Sequence, residues 1–178
     1  MTDAPPSGRF AALLAQATLI GAVLLPLMAA GIWLFWDRLA GLAAGDVAQA
    51  YDATGLGAPA RLAGFALSLA GALVQAYGLL GVRRTFLEAA AGRTFSARSV
   101  GGFRRFAWVS LAMVFIGIVQ RAGLVAILSM SDPSKPNALS IQFGSNDVKA
   151  LFMGLLLVFV AHVFSEGKRA KDENETFL

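Results

Sequence analysis

Apolar stretches at Leu13–Trp36, Leu62–Val82, Phe106–Met130 and Val148–Phe164 alternate with short polar segments along this chain. A helix crosses a bilayer core of about 30 Å with roughly 20 apolar residues. The pattern therefore predicts an all-α polytopic membrane protein with four transmembrane helices. Residues 1–178 form a single membrane domain. The polar, proline-containing residues 1–8 are read as a disordered N-terminus, and 165–178 as a charged cytoplasmic tail.

The second stretch carries the clearest internal pattern. Gly64, Ser68, Gly71, Gln75 and Gly78 recur at spacings of four and three, on one stripe of a helix. Small residues let helix backbones approach closely in a membrane, and Ser or Gln hydrogen-bonds across the contact. This stripe predicts that the second span is the central packing helix. Pro26 lies inside the first span and is expected to kink it. Pro59 suits the first helical position of the second. Between the first two spans, 46–52 reads as a short surface helix.

Beyond Val82 the helical pattern continues through Thr85–Ala91. Gly92 is a natural stop, because it tolerates the left-handed backbone of a helix end. Ser96 reads as the N-cap of the next helix. The result is a helical hairpin extension between helices 2 and 3, with Phe86 and Phe95 expected beneath its turn.

Composition changes the picture mainly by exclusion. The chain is 57% hydrophobic and 15% charged, and segregates this balance into blocks, unlike a soluble domain. With no cysteine, disulfides and thiolate metal sites are excluded. The net charge of +4 does not point to nucleic acid, because the basic residues cluster between spans. Arg83, Arg84, Arg93, Arg98, Arg104 and Arg105 face only Glu88 in the second connection. Arg38 and Arg61 face Asp37, Asp46 and Asp52 in the first. Lys and Arg stay cytoplasmic in short loops, so both termini and the arginine-rich hairpin are expected inside. Trp33 and Trp36 are then expected at the outer interface and Trp108 at the inner one. The first span runs on past Ala29-Ala30 into further apolar residues, so it is expected to remain as an anchor rather than a cleaved signal.

Few residues invite chemistry. Arg121 interrupts the third span, roughly 24 Å from Arg105 along the helix. Such a charge snorkels, pairs, or binds a ligand in an outward-facing mouth. Asp147 is the first partner to expect and Asp52 the second. Ser110 and Gly117 share its face. Gln75 is read as an interhelical hydrogen-bonding group, with a pore contact as the sharper alternative. His162, the only histidine, lies a turn before Glu166 and has no ligand set around it. No HExxH, phosphate-binding loop or nucleophile–base pair is present. No enzyme activity, cofactor or metal is expected.

The stretch Leu87-Glu-Ala-Ala-Ala-Gly-Arg-Thr-Phe-Ser-Ala-Arg-Ser-Val-Gly-Gly-Phe-Arg-Arg-Phe106 resembles domain of unknown function 2975, a group of small bacterial four-helix membrane proteins. Gly92, Phe95, Ser96, Val100 and Arg104-Arg105 carry the resemblance. So does Val163-Phe164-Ser165-Glu166-Gly167, followed by Glu173-Asn174-Glu175. The final Glu175-Thr176-Phe177-Leu178 departs slightly from the usual ending of that group. The resemblance implies no catalytic residues. By analogy of gene context, it implies a cytoplasmic helix-turn-helix regulator as partner.

These readings combine into a non-enzymatic inner-membrane protein with a regulatory or accessory role. Arg93, Arg98, Arg104 and Arg105 are its cytoplasmic docking candidates. Arg121 and Asp147 form a candidate ion pair at the outer mouth. The alternative is a small transporter or channel subunit, for which a polar cavity lined by Gln75 and Arg121 is expected. Expected partners are the lipid bilayer and a cytoplasmic protein, with no direct nucleic acid contact and with a homo-oligomer left open.

Overall fold

A computed structural model describes residues 6–39, 56–131 and 143–176. Among these, four long helices make up the fold: α1 (Pro6–Leu34), α2 (Ala58–Ala90), α3 (Ala97–Ser131) and α4 (Ser145–Thr176). Each contains a stretch long and apolar enough to cross a membrane. Their surfaces agree. Leu13, Ile20, Leu27, Phe115, Phe152 and Phe159 all expose more than half of their area. In water such apolar faces drive association; in lipid tails they are at home. The protein is a multi-pass membrane protein.

The helices pack as sequence neighbours, α1 on α2, α2 on α3 and α3 on α4. Each pair is antiparallel. The start of α1, the α2–α3 turn and the end of α4 therefore share one end, here the hairpin end. α2 packs on both α1 and α3, and α3 likewise on both α2 and α4.

The stripe on α2 divides between these two neighbours. Gly64 lies against the Trp33 ring of α1, and Ser68 Oγ accepts a hydrogen bond from Trp33 Nε1 at 3.0 Å. Gly71 lies beneath the Gln120 amide of α3, and Gly78 against Val109. Gln120 Nε2 donates to the Leu67 carbonyl at 2.9 Å, so a polar side chain within the span finds a backbone acceptor across the contact. Further along, at Gly81 and Gly102, backbone meets backbone. A Cβ on Gly102 would stand 2.5 Å from the Gly81 carbonyl oxygen. Thr85 Oγ1 donates to the Ser99 carbonyl at 2.8 Å just beyond, tying the same pair of helices together.

The hairpin turn follows its local chemistry. α2 ends at Ala90, and Gly92 adopts φ +75°, the left-handed region that a helix end favours. Ser96 Oγ accepts a hydrogen bond from the Ser99 N–H at 3.1 Å, which is N-capping of α3. At the start of α2, Gly57 is the N-cap and proline occupies the first turn.

Several expectations change. α1 starts at Pro6, so residues 6–8 of the segment read as disordered are helical. Residues 165–176, the described part of the charged tail, form the last turns of α4. Trp33 and Trp36, expected at the outer interface, turn inward rather than toward lipid. They are 6% and 0% exposed, stack with ring centroids 4.3 Å apart, and form a core with Leu56 and Leu128 at the end opposite the hairpin. The glycine at position 64 makes room for the first ring, so the indoles turn inward. Trp108, by contrast, is more than half exposed. The short helix expected at 46–52, and Asp52 as a partner for Arg121, lie outside the described residues.

Candidate functional site

Two polar constellations stand out, one at each end of the helices. At the hairpin end, an open groove of about 730 Å³ runs along one face of the α2–α3 pair, beside the Gly81–Gly102 contact. α2 contributes Tyr77, Arg84 and Glu88; α3 contributes Arg98, Arg104, Arg105 and Trp108. The spacing is helical on both sides. Tyr77, Arg84 and Glu88 follow one another at seven and four residues, and Arg104, Arg105 and Trp108 fall within one turn. Arg105 lies over the Tyr77 ring, 4.6 Å from its centroid, a cation–π contact that fixes the guanidinium at the wall.

Glu88, the acidic side chain of this cavity, is already engaged. Arg93 reaches it from the turn, with Nε and one terminal nitrogen donating at 3.0 and 3.3 Å to its two oxygens. The Glu88 carboxylate raises the already high pKa of Arg93, so the guanidinium stays charged at any physiological pH. Arg84, Arg98, Arg104 and Arg105 thus line the cavity together, while the neighbouring carboxylate is spent on Arg93.

Arg93 is engaged by Glu88 of its own hairpin, and among the described residues no ion pair joins it to a tail carboxylate. Lys168 pairs with Asp172, and Arg169 with Glu173 at 2.9 Å, both within α4. What joins the hairpin to α4 is aromatic. Phe164 packs edge-on against Phe95 and Phe103, with centroids 6.2 and 5.2 Å apart, and Gly167 faces the Phe95 ring. Hairpin and α4 end are therefore one continuous surface, held by rings rather than by charge. Phe86, the other ring expected beneath the turn, is half-buried.

At the opposite end, Arg121 donates to Asp147 Oδ1 at 2.5 Å, the pairing the sequence favours. Asp147 sits in the first turn of α4, and its other oxygen accepts the Gly144 backbone N–H at 2.9 Å. This is one half of a capping box, so a single carboxylate both caps α4 and neutralises the arginine of α3. Next to the pair lies a cavity of about 300 Å³ lined by Ser68, Gln120, Arg121 and apolar neighbours. Gln75 is not part of it. Arg61 closes the same end by a 2.6 Å ion pair to Asp37 and a hydrogen bond to the Leu56 carbonyl.

Sequence reasoning missed Tyr77 and Arg84 as members of the basic cavity, although their spacing from Glu88 is that of a helix face. His162 is exposed on α4. Among the described residues, no three His, Cys, Asp or Glu side chains gather to hold a metal ion. Neither the curated proteins nor the solved structures include a match to this chain. Residues 9–177, nearly the whole length, match the family described as Protein of unknown function (DUF2975), and the chain belongs to that family.

Proposed function

We propose that this protein is a non-enzymatic accessory or regulatory protein of the bacterial inner membrane, with its hairpin end in the cytoplasm. The observation that carries this reading is the composite surface at that end. Two segments far apart in sequence are locked together by Phe95, Phe103 and Phe164, and arginines crown the result. An arginine-rich face joined to a second segment supports a docking role beyond orientation of the helices. Charge steers the encounter and salt weakens it. The partner class favoured by the family resemblance is a cytoplasmic helix-turn-helix regulator.

The test replaces Arg93 and Arg98 with glutamine and compares proteins co-purifying in detergent at low and high salt. Loss of a salt-sensitive partner with insertion unchanged supports the docking role. An unchanged set of partners removes it and leaves the arginines as orientation signals. The alternative, a small transporter or channel subunit, draws on the cavity beside Arg121. It has less support, because Gln120 is bound to the Leu67 carbonyl and Arg121 to Asp147.

A further inference from the structure

We infer that the cavity between α2 and α3 at the hairpin end is a binding site for an anionic phospholipid, which enters sideways from the bilayer. This goes beyond the protein-docking role proposed for Arg93 and Arg98, and does not depend on it.

Three features of the cavity combine to select a lipid. Its upper wall is cationic: Arg84, Arg98, Arg104 and Arg105 line it, and Glu88 is occupied by Arg93. A planar guanidinium fork matches phosphate oxygens, and several forks around one cavity suit a phosphodiester. Its middle is amphipathic. Tyr77 and Trp108 are both more than half exposed there, the side chains that prefer the headgroup level of a membrane. Its lower continuation is apolar. One turn below Tyr77 on α2 lies exposed Leu73, and two turns below Trp108 on α3 lies exposed Phe115. A charged recess thus opens directly onto surface that faces acyl chains. A soluble acidic peptide or free phosphate would use only the upper part, whereas a phospholipid uses all three levels. Basic pockets between transmembrane helices bind anionic headgroups in this way.

Gly102, whose backbone meets Gly81 of α2, lines the groove midway along its length. Gly101, on the cavity wall, has no atom within 4 Å of the position its Cβ would take. A side chain placed there projects into empty space, and obstructs the site without changing its charge.

The test uses the full chain purified in detergent, with phosphatidylglycerol or phosphatidylcholine of identical acyl chains added. Bound lipid is read by native mass spectrometry, and thermal stabilisation is read in parallel. Wild type should retain phosphatidylglycerol in preference to phosphatidylcholine and gain stability from it alone. At about 1 kcal/mol for each arginine near a headgroup, Arg84→Gln with Arg105→Gln should cut that preference by about tenfold or more. Gly101→Phe should abolish it with all arginines present, which keeps the test valid if the double variant folds poorly. Arg38→Gln, at the opposite end, should leave it unchanged. Glycerol 3-phosphate, which supplies the headgroup without chains, should not compete at equal concentration. Equal retention of both lipids by wild type, a preference that survives both Gly101→Phe and the paired substitution, or full competition by glycerol 3-phosphate would each overturn the inference. Partner capture through Arg93 and Arg98 is measured without added lipid, so failure of either proposal is seen separately.

Discussion

Replacing Gly102 with valine is expected to lower the thermal midpoint in detergent by about 4–12 °C. The reason is the nature of the obstacle. A Cβ at Gly102 meets the Gly81 carbonyl oxygen at 2.5 Å and Thr85 Oγ1 at 3.0 Å. A side chain can rotate away from an intruder, but a helix backbone cannot. The helices must separate, and the Thr85–Ser99 hydrogen bond goes with them. In a membrane, where lipid tails are as apolar as the helices, close packing is a main source of helix association. Gly101→Ala is the matched control. It adds a Cβ alone, one residue away and into open space, and should leave the midpoint unchanged or raise it slightly. Gly71→Leu should fall between them. It displaces the Gln120 amide, a flexible group, but breaks that group's bond to the Leu67 carbonyl. Leu73→Ala, at an exposed position, should have the least effect of the large-residue changes. Equal midpoints for Gly102→Val and Gly101→Ala would show that α2 and α3 do not meet at this point.

The second large effect is expected at Asp147. Asp147→Ala removes the Arg121 ion pair and the cap on the Gly144 N–H together, and should lower the midpoint by about 2–8 °C. The two contributions separate by substitution. Arg121→Gln leaves the cap in place and removes only the ion pair. The loss should be the smaller one, because the hydrogen bond of Asp147 to the Gly144 N–H remains. Combining Arg121→Gln with Asp147→Ala should cost less than the sum of the two, because the pair is lost once. Strict additivity would mean that the two side chains do not interact and that Arg121 snorkels alone.

Local signals in the sequence fared best. The four spans follow from length and hydropathy alone. Gly92 and Ser96 mark the hairpin because a left-handed residue and an N-cap are local requirements. Arg121 and Asp147 were legible as a pair because a charge within a span needs a partner, and few were within reach. Contacts whose meaning depends on another helix were harder to see. Gly81 and Gly102 look like ordinary glycines until the register of α2 on α3 is known, and the stripe ending at Gly78 did not extend to them. Trp33 and Trp36 look like interface anchors by position. Their burial depends on Gly64 and Ser68 standing opposite, thirty residues on. The end of α4 read as a tail because charge signals exit from the membrane. The i,i+4 pairs Lys168–Asp172 and Arg169–Glu173 show how a charged helix continues past that exit. The basic cavity was half visible. Arg98, Arg104 and Arg105 read as topology signals and docking candidates from the sequence, but their juxtaposition with Tyr77 and Arg84 depends on the register of α2 on α3.

The placement of the hairpin end inside the cell is best tested by single-cysteine labelling, since the chain has no cysteine of its own. Thr94→Cys puts a thiol on the exposed hairpin turn, and Asn146→Cys puts one at the exposed start of α4, at the other end. Intact cells are treated with a membrane-impermeant maleimide. Asn146→Cys should label at once, and Thr94→Cys only after the membrane is permeabilised. Labelling of Thr94→Cys in intact cells, with Asn146→Cys protected, would place the arginine-rich end outside and contradict a cytoplasmic docking surface.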